Sequence, residues 1–110
     1  MNNQLYFTGF EQFKTSREAV LDQVPDSWKP IVDKLIDDLF QVGWNGEIAQ
    51  IKEKFGGLRF YINYYGSDAI FDLIDKAEDE SETVCINCGE PATTMAGWYN
   101  VCDLHRGLKC

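Results

Sequence analysis

The sequence predicts an α+β fold: a helix and a β-hairpin form the core, a second helix packs on it, and a cysteine-bearing module closes the C-terminus. Three observations carry this. Ser27–Gly43 places apolar residues at helical spacing. Lys52–Tyr61 reads KEKFGGLRFY, two β-rich runs about a double glycine. The last third contains CINCGEPATTMAGWYNVCDLH, two spaced cysteine pairs in which histidine stands in for one thiol.

With 110 residues, 45% of them hydrophobic, the chain suits one compact domain and is too short for two independent cores. Three regions are expected: 1–24 as an N-terminal arm with a short helix, 25–83 as the helix-hairpin-helix core, and 84–110 as the C-terminal module. Residues 1–15 are aromatic and weakly patterned (Tyr6, Phe7, Phe10, Phe13), and are expected to cross the core as an irregular arm. Ser16–Val24 suits a short helix capped by Ser16 and ended by Pro25. The main helix follows, with Ser27 as its cap, Pro30 in the first turn and Gly43 as its stop. Trp28, Ile31, Val32, Leu35, Ile36, Leu39 and Phe40 form its apolar stripe, read as core, opposite Asp33, Lys34, Asp37 and Asp38.

Gly56 and Gly57 are read as the structural turn, because both central positions of a type I′ hairpin need positive φ. That turn pairs Phe55 with Leu58, Lys54 with Arg59, Glu53 with Phe60, Lys52 with Tyr61 and Ile51 with Ile62. One face then holds Ile51, Phe55, Leu58, Phe60 and Ile62, with Glu53 a lone misfit. The other holds Lys52, Lys54, Arg59, Tyr61 and Tyr65, a basic face with aromatic edges. Lys54 opposite Arg59 is a like-charge pair that calls for a nearby anion, either on the acidic second helix or on a partner. The glycines join two strands with no G-x-x-x-x-G-K-[ST] pattern, so they do not form a phosphate loop.

The second helix, about Ser67–Glu82, buries Ile70, Leu73, Ile74 and Ala77. Its other positions carry Asp68, Asp72, Asp75, Glu78, Asp79, Glu80 and Glu82, seven acids against Lys76. Most of the formal net charge of −8 is concentrated there. A whole-surface field of that sign disfavours nucleic acid and suits a basic protein partner. No segment has the roughly 18 consecutive apolar residues of a membrane span, so no membrane role is expected. The N-terminus lacks the basic-then-apolar layout of a secretory signal, which points to the cytoplasm.

In a reducing compartment a spaced cysteine set indicates metal rather than disulfides. Cys85-x-x-Cys88 and, thirteen residues on, Cys102-x-x-His105 supply the four N/S ligands of a tetrahedral structural Zn²⁺ site. Gly89 suits a knuckle in which backbone amides turn toward sulfur. Knuckle, hairpin and ligands on a helix start make a zinc-ribbon or treble-clef-like zinc module. Cys110 could replace His105, but its terminal position suits a free thiol better. A filled four-ligand site leaves no place for an activated water, so the zinc is structural.

QIKEKFGGLRFY, a helix bearing KAEDES, C-x-x-C-G and GW…VCDLH, in that order, resemble a family of small uncharacterised proteins of bacteria and their phages. The resemblance covers about residues 44–106. It implies a zinc-site domain, often phage or prophage borne, with no established activity. It also implies Cys85, Cys88, Cys102 and His105 as ligands, with Lys54, Gly56, Gly57, Arg59 and Tyr61 as the family's signature.

Catalysis is the weakest functional reading: the one histidine is committed to metal, and no serine or cysteine has a visible base. Glu78, Asp79 and Glu80 could hold a second metal, but acidic runs are usually solvated faces. A nucleic-acid binder would use the hairpin cations with Tyr61 and Tyr65 as stacking platforms. A protein-interaction factor accounts for more: small size, structural zinc, a negative helix (Asp68, Asp72, Asp75, Glu78, Asp79) and a positive face (Lys52, Lys54, Arg59, Tyr61). Combined with the resemblance, this suggests a phage or prophage factor that binds and modulates a host protein, for example as an inhibitor occupying a basic groove of a nucleic-acid-processing defence component.

Overall fold

The computed structural model describes residues 4–8, 12–62, 68–96 and 99–102. The N-terminal segment is a sheet and not the expected irregular arm. Strand β1 (Leu5–Thr8) pairs antiparallel with β2 (Gln12–Thr15) and parallel with the short β3 (Glu47–Ile48). Leu5 is buried, and Phe7 is partly buried against the core. Such pairing to β3, some forty residues away, leaves no mark in a local pattern.

Helix α1 (Arg17–Leu21) starts where Ser16 Oγ accepts the Ala19 N–H at 3.1 Å, but it ends three residues short of Val24. Helix α2 (Lys29–Gln41) buries Val32, Leu35, Ile36 and Leu39, while Ile31 and Phe40 pack at the edge of the core. Arg17 bridges Asp33 and Asp37 on its outer face at 2.9 and 2.8 Å. Ser27 does not cap α2. A 3₁₀ turn (Asp26–Trp28) precedes the helix, which moves its cap to Trp28, and the Ser27 hydroxyl instead donates to the Ile86 carbonyl at 2.7 Å.

Strands β4 (Gln50–Lys54) and β5 (Gly57–Tyr61) form the hairpin, in a different register from the one expected. Lys54 lies opposite Gly57, Glu53 opposite Leu58, Lys52 opposite Arg59, Ile51 opposite Phe60 and Gln50 opposite Tyr61. The turn residues are therefore Phe55 and Gly56, with φ of 53° and 82°, the signs of a type I′ turn. Gly57 belongs to the strand. Because both strands slip by one residue, the sorting by face survives. Ile51, Leu58 and Phe60 are buried together, whereas Phe55 leaves the core face and is 61% exposed.

Helix α3 (Asp68–Ser81) explains the register. It lies along the free edge of β5, where Ser81 Oγ accepts the Leu58 N–H at 2.9 Å and Glu78 Oε2 accepts the Phe60 N–H at 3.0 Å. In the glycine-centred register those two amides would bond to β4, since antiparallel ladders alternate inward and outward pairs. The observed turn frees them for the helix. Ile70, Ile74 and Ala77 bury α3 against the rest of the core.

The C-terminal part adds the hairpin of β6 (Thr94–Ala96) and β7 (Tyr99–Val101). Cys85, Ile86 and Val101 join the same buried cluster as Trp28, Leu39 and Leu58. No helix among the described residues is long and apolar enough to cross a membrane.

Candidate functional site

The cysteine cluster is assembled from two tight backbone arrangements. In the first, Cys85 N–H donates to the Glu90 carbonyl at 2.6 Å and Gly89 N–H to the Cys85 carbonyl at 2.8 Å. Gly89 has φ of 81°, the left-handed conformation that a knuckle needs and a β-carbon opposes. In the second, β7 delivers Cys102 directly after the buried Val101. Two backbone bonds join the halves: Ile86 N–H to the Asn100 carbonyl at 2.9 Å, and Thr93 N–H to the Val101 carbonyl at 2.8 Å. Ser27 holds the knuckle from the other side through Ile86.

As a result the Sγ atoms of Cys85, Cys88 and Cys102 lie within 4.8 Å of one another. Cys88 and Cys102 are 3.7 Å apart. A disulfide requires about 2.05 Å. Thiolates bound tetrahedrally at about 2.3 Å from a common ion sit about 3.8 Å apart. The spacing fits a shared metal ion.

The electrostatics agree. Burial of Cys85 opposes its thiolate, but the N–H groups of Cys102, Asn87 and Cys88 outweigh that and bring its pKa down to about 6. At Cys88 the Glu90 N–H favours the thiolate, yet burial and the sulfurs of Cys102 and Cys85 prevail and push the pKa up. Three sulfurs this close resist simultaneous ionisation, and a cation between them removes the conflict. His105, the expected fourth ligand, lies outside the described residues, as do Cys110 and Tyr65.

The basic face keeps its expected residues but pairs them differently. Lys52, not Lys54, is the residue opposite Arg59. Lys54 lies opposite Gly57, with its Nζ 5.6 Å from the centre of the Phe55 ring. Arg59 folds back to its own strand, Nη1 donating to the Leu58 carbonyl at 2.9 Å. A β-carbon on Gly57 would lie 3.0 Å from that nitrogen and 3.4 Å from Glu82 Oε1, so glycine makes room for both groups. Among the described residues Lys52, Lys54 and Arg59 make no ion pair within 4 Å.

On α3 the acids divide. Asp68, Asp72, Asp75 and Asp79 are exposed, while Glu78 is half-buried against the hairpin. Burial raises the Glu78 pKa, opposed by the Phe60 N–H and by the charge of Arg59. Glu78 thus belongs to the β5 edge and not to the solvated acidic face. Sequence reasoning also passed over Glu53, whose Oε2 accepts the Gly56 N–H at 2.8 Å and closes the turn. Its position as the one polar residue on an apolar face was the available signal.

No family model matches this chain, and neither a curated protein nor a solved structure matches it.

Proposed function

We propose that this protein is a small non-enzymatic interaction factor, stabilised by structural Zn²⁺, that docks on a basic surface of a partner protein. The observation that carries the reading is the row Asp68, Asp72, Asp75 and Asp79 on α3, spaced to share one helix face, exposed, and without an ion-pair partner among the described residues. Like charges three and four residues apart weaken a helix, and Asp79 and Glu80 near its C-terminus also oppose the helix dipole. A partner's cations would relieve that repulsion.

Cys85, Cys88, Cys102 and His105 would hold the zinc. Its chemistry there is cross-linking: it joins the knuckle to the strand that ends at Val101 and leaves the protein surface to make the contacts. The resemblance over residues 44–106 motivates the finer part of the proposal. The protein is phage or prophage encoded, works in the host cytoplasm, and inhibits a nucleic-acid-processing defence protein by occupying a basic groove.

The test is affinity capture from host lysate by the zinc-loaded chain and by a variant carrying Asp68→Lys, Asp72→Lys and Asp79→Lys. Specific recovery of one host protein, lost with the variant, is expected; recovery unaffected by the reversals would overturn the reading. A second reading, nucleic-acid binding, draws on Lys52 and Lys54, which are not ion-paired among the described residues, and on exposed Tyr61. Tight, salt-sensitive binding of DNA or RNA that Arg59→Glu abolishes would replace the first reading with this one.

A further inference from the structure

Strand β5 and helix α3 enclose a cleft of about 210 Å³ lined by Phe60, Tyr61, Ile62, Phe71, Ile74, Asp75 and Glu78. That is below the roughly 300–1,000 Å³ of a cofactor or drug-sized site, and of the order of one side chain. Two of the large apolar side chains left exposed among the described residues meet here, Tyr61 at 42% and Phe71 at 43%. Phe71, Ile74, Asp75 and Glu78 fall three or four residues apart, so one helical face presents an aromatic ring, an apolar floor and two carboxylates. Glu78 is anchored through Oε2 to the Phe60 N–H, which fixes the carboxylate in place.

We propose that this cleft receives one arginine side chain of the partner protein. The proposal rests on the protein-partner reading above and adds the residue recognised. Charge complementarity selects a cation: Asp75 and Glu78 line the cleft, and the described lining residues include no basic group. Aromatic walls and a short apolar floor select arginine over lysine, because guanidinium stacks flat on rings and meets a carboxylate through paired N–H donors. A bare anion or a nucleic-acid backbone would meet the wrong charge, and a neutral apolar ligand would leave the carboxylates of Asp75 and Glu78 without a cation.

The experiment titrates the ¹⁵N-labelled, zinc-loaded full chain with the blocked tripeptide acetyl-Gly-Arg-Gly-amide. The lysine tripeptide and the neutral isostere with citrulline in place of arginine serve as controls. Saturable shifts at Tyr61, Phe71, Asp75 and Glu78 with the arginine peptide are expected, several-fold weaker with lysine and absent with citrulline. Phe71→Ala and Asp75→Asn, both at exposed positions, should each weaken binding at least threefold while leaving the remaining spectrum unchanged. Equal shifts with citrulline, shifts confined to Asp68, Asp72 and Asp79, or no saturation would overturn the proposal. The Asp68, Asp72 and Asp79 reversals leave the cleft intact. Capture unaffected by the reversals with arginine binding retained would therefore overturn the docking reading alone, and capture lost on reversal with no arginine binding by the parent would overturn the cleft alone.

Discussion

Phe55 holds the left-handed backbone conformation, with φ of 53°, while most of its side chain stays in solvent. For a bulky residue that conformation costs about 1–2 kcal/mol. The neighbouring Lys54 cation, 5.6 Å from the ring, returns about 0.5 kcal/mol at an exposed site. Asparagine tolerates the same φ, and Asn-Gly is the preferred type I′ pair. Phe55→Asn should therefore stabilise the protein by about 1 kcal/mol, read as a rise of several degrees in Tm. Glu78 supplies a prediction in pH. Its folded pKa is raised, chiefly by burial. A carboxyl with a raised folded pKa contributes stability when protonated, below its unfolded pKa, and loses that contribution as pH rises through the folded pKa. Glu78→Gln keeps an acceptor for the Phe60 N–H but cannot ionise. Relative to the parent, the variant should be more stable at pH 7 than at pH 4, and thermal melts at both values would show it.

At the scale of elements, α3 substitutes for a third strand. Ser81 is almost wholly buried, accepts the Leu58 N–H and donates to the Glu78 carbonyl at 2.6 Å. Ser81→Ala would leave a buried N–H without an acceptor, a loss of about 1–3 kcal/mol by chemical denaturation. Ser81→Thr retains the hydroxyl and should recover part of it. Ser27 is the matching tether between the 3₁₀ turn ahead of α2 and the knuckle, and Ser27→Ala should remove about 1 kcal/mol. Because the tether grips Ile86, one residue after Cys85, the same substitution should also weaken metal retention against a chelator. An unchanged rate of metal loss would show that the knuckle is held without it.

For the whole molecule, the decisive feature is that the cysteine cluster is built into the common core and not hung beside it. Cys85, Ile86 and Val101 are buried with residues of α2, β5 and α3. Removing the proposed metal should therefore loosen the entire fold. We expect one Zn²⁺ per chain by elemental analysis, and a fall of ten degrees or more in Tm after chelation, reversed by zinc. Cys85→Ser should be more damaging than Cys88→Ser: both would remove a ligand of the proposed zinc, but Cys85 is fully buried and Cys88 is exposed. Zinc-free protein with unchanged melting would contradict this.

Much of this architecture was legible before any tertiary contact was known. Trp28 through Leu39 and Ile70 through Ala77 repeat apolar side chains at the helical period, so both helices and their buried faces followed from local spacing. Alternation along Ile51–Lys54 and Leu58–Tyr61 marked the core face of the hairpin, and it survived the change of register because a slip of one residue in each strand preserves parity. The spacing of Cys85, Cys88 and Cys102 brought three thiols together, as two short-range turns joined by a hairpin can.

What local pattern left open was every choice made between distant segments. The turn could centre on Gly56-Gly57 or on Phe55-Gly56, and Ser81 and Glu78, some twenty residues on, selected the latter by accepting the Leu58 and Phe60 amides. Residues 5–8 pair locally with Gln12–Thr15, but the pairing that ties this hairpin to Glu47 and Ile48 comes from a distant segment. Ser27 looked like a cap until Ile86 offered its carbonyl. Periodicity reports which side of an element is apolar, because that is a property of neighbours in the chain. Hydrogen-bond partners across the fold depend on which elements come to lie side by side, and only packing decides that.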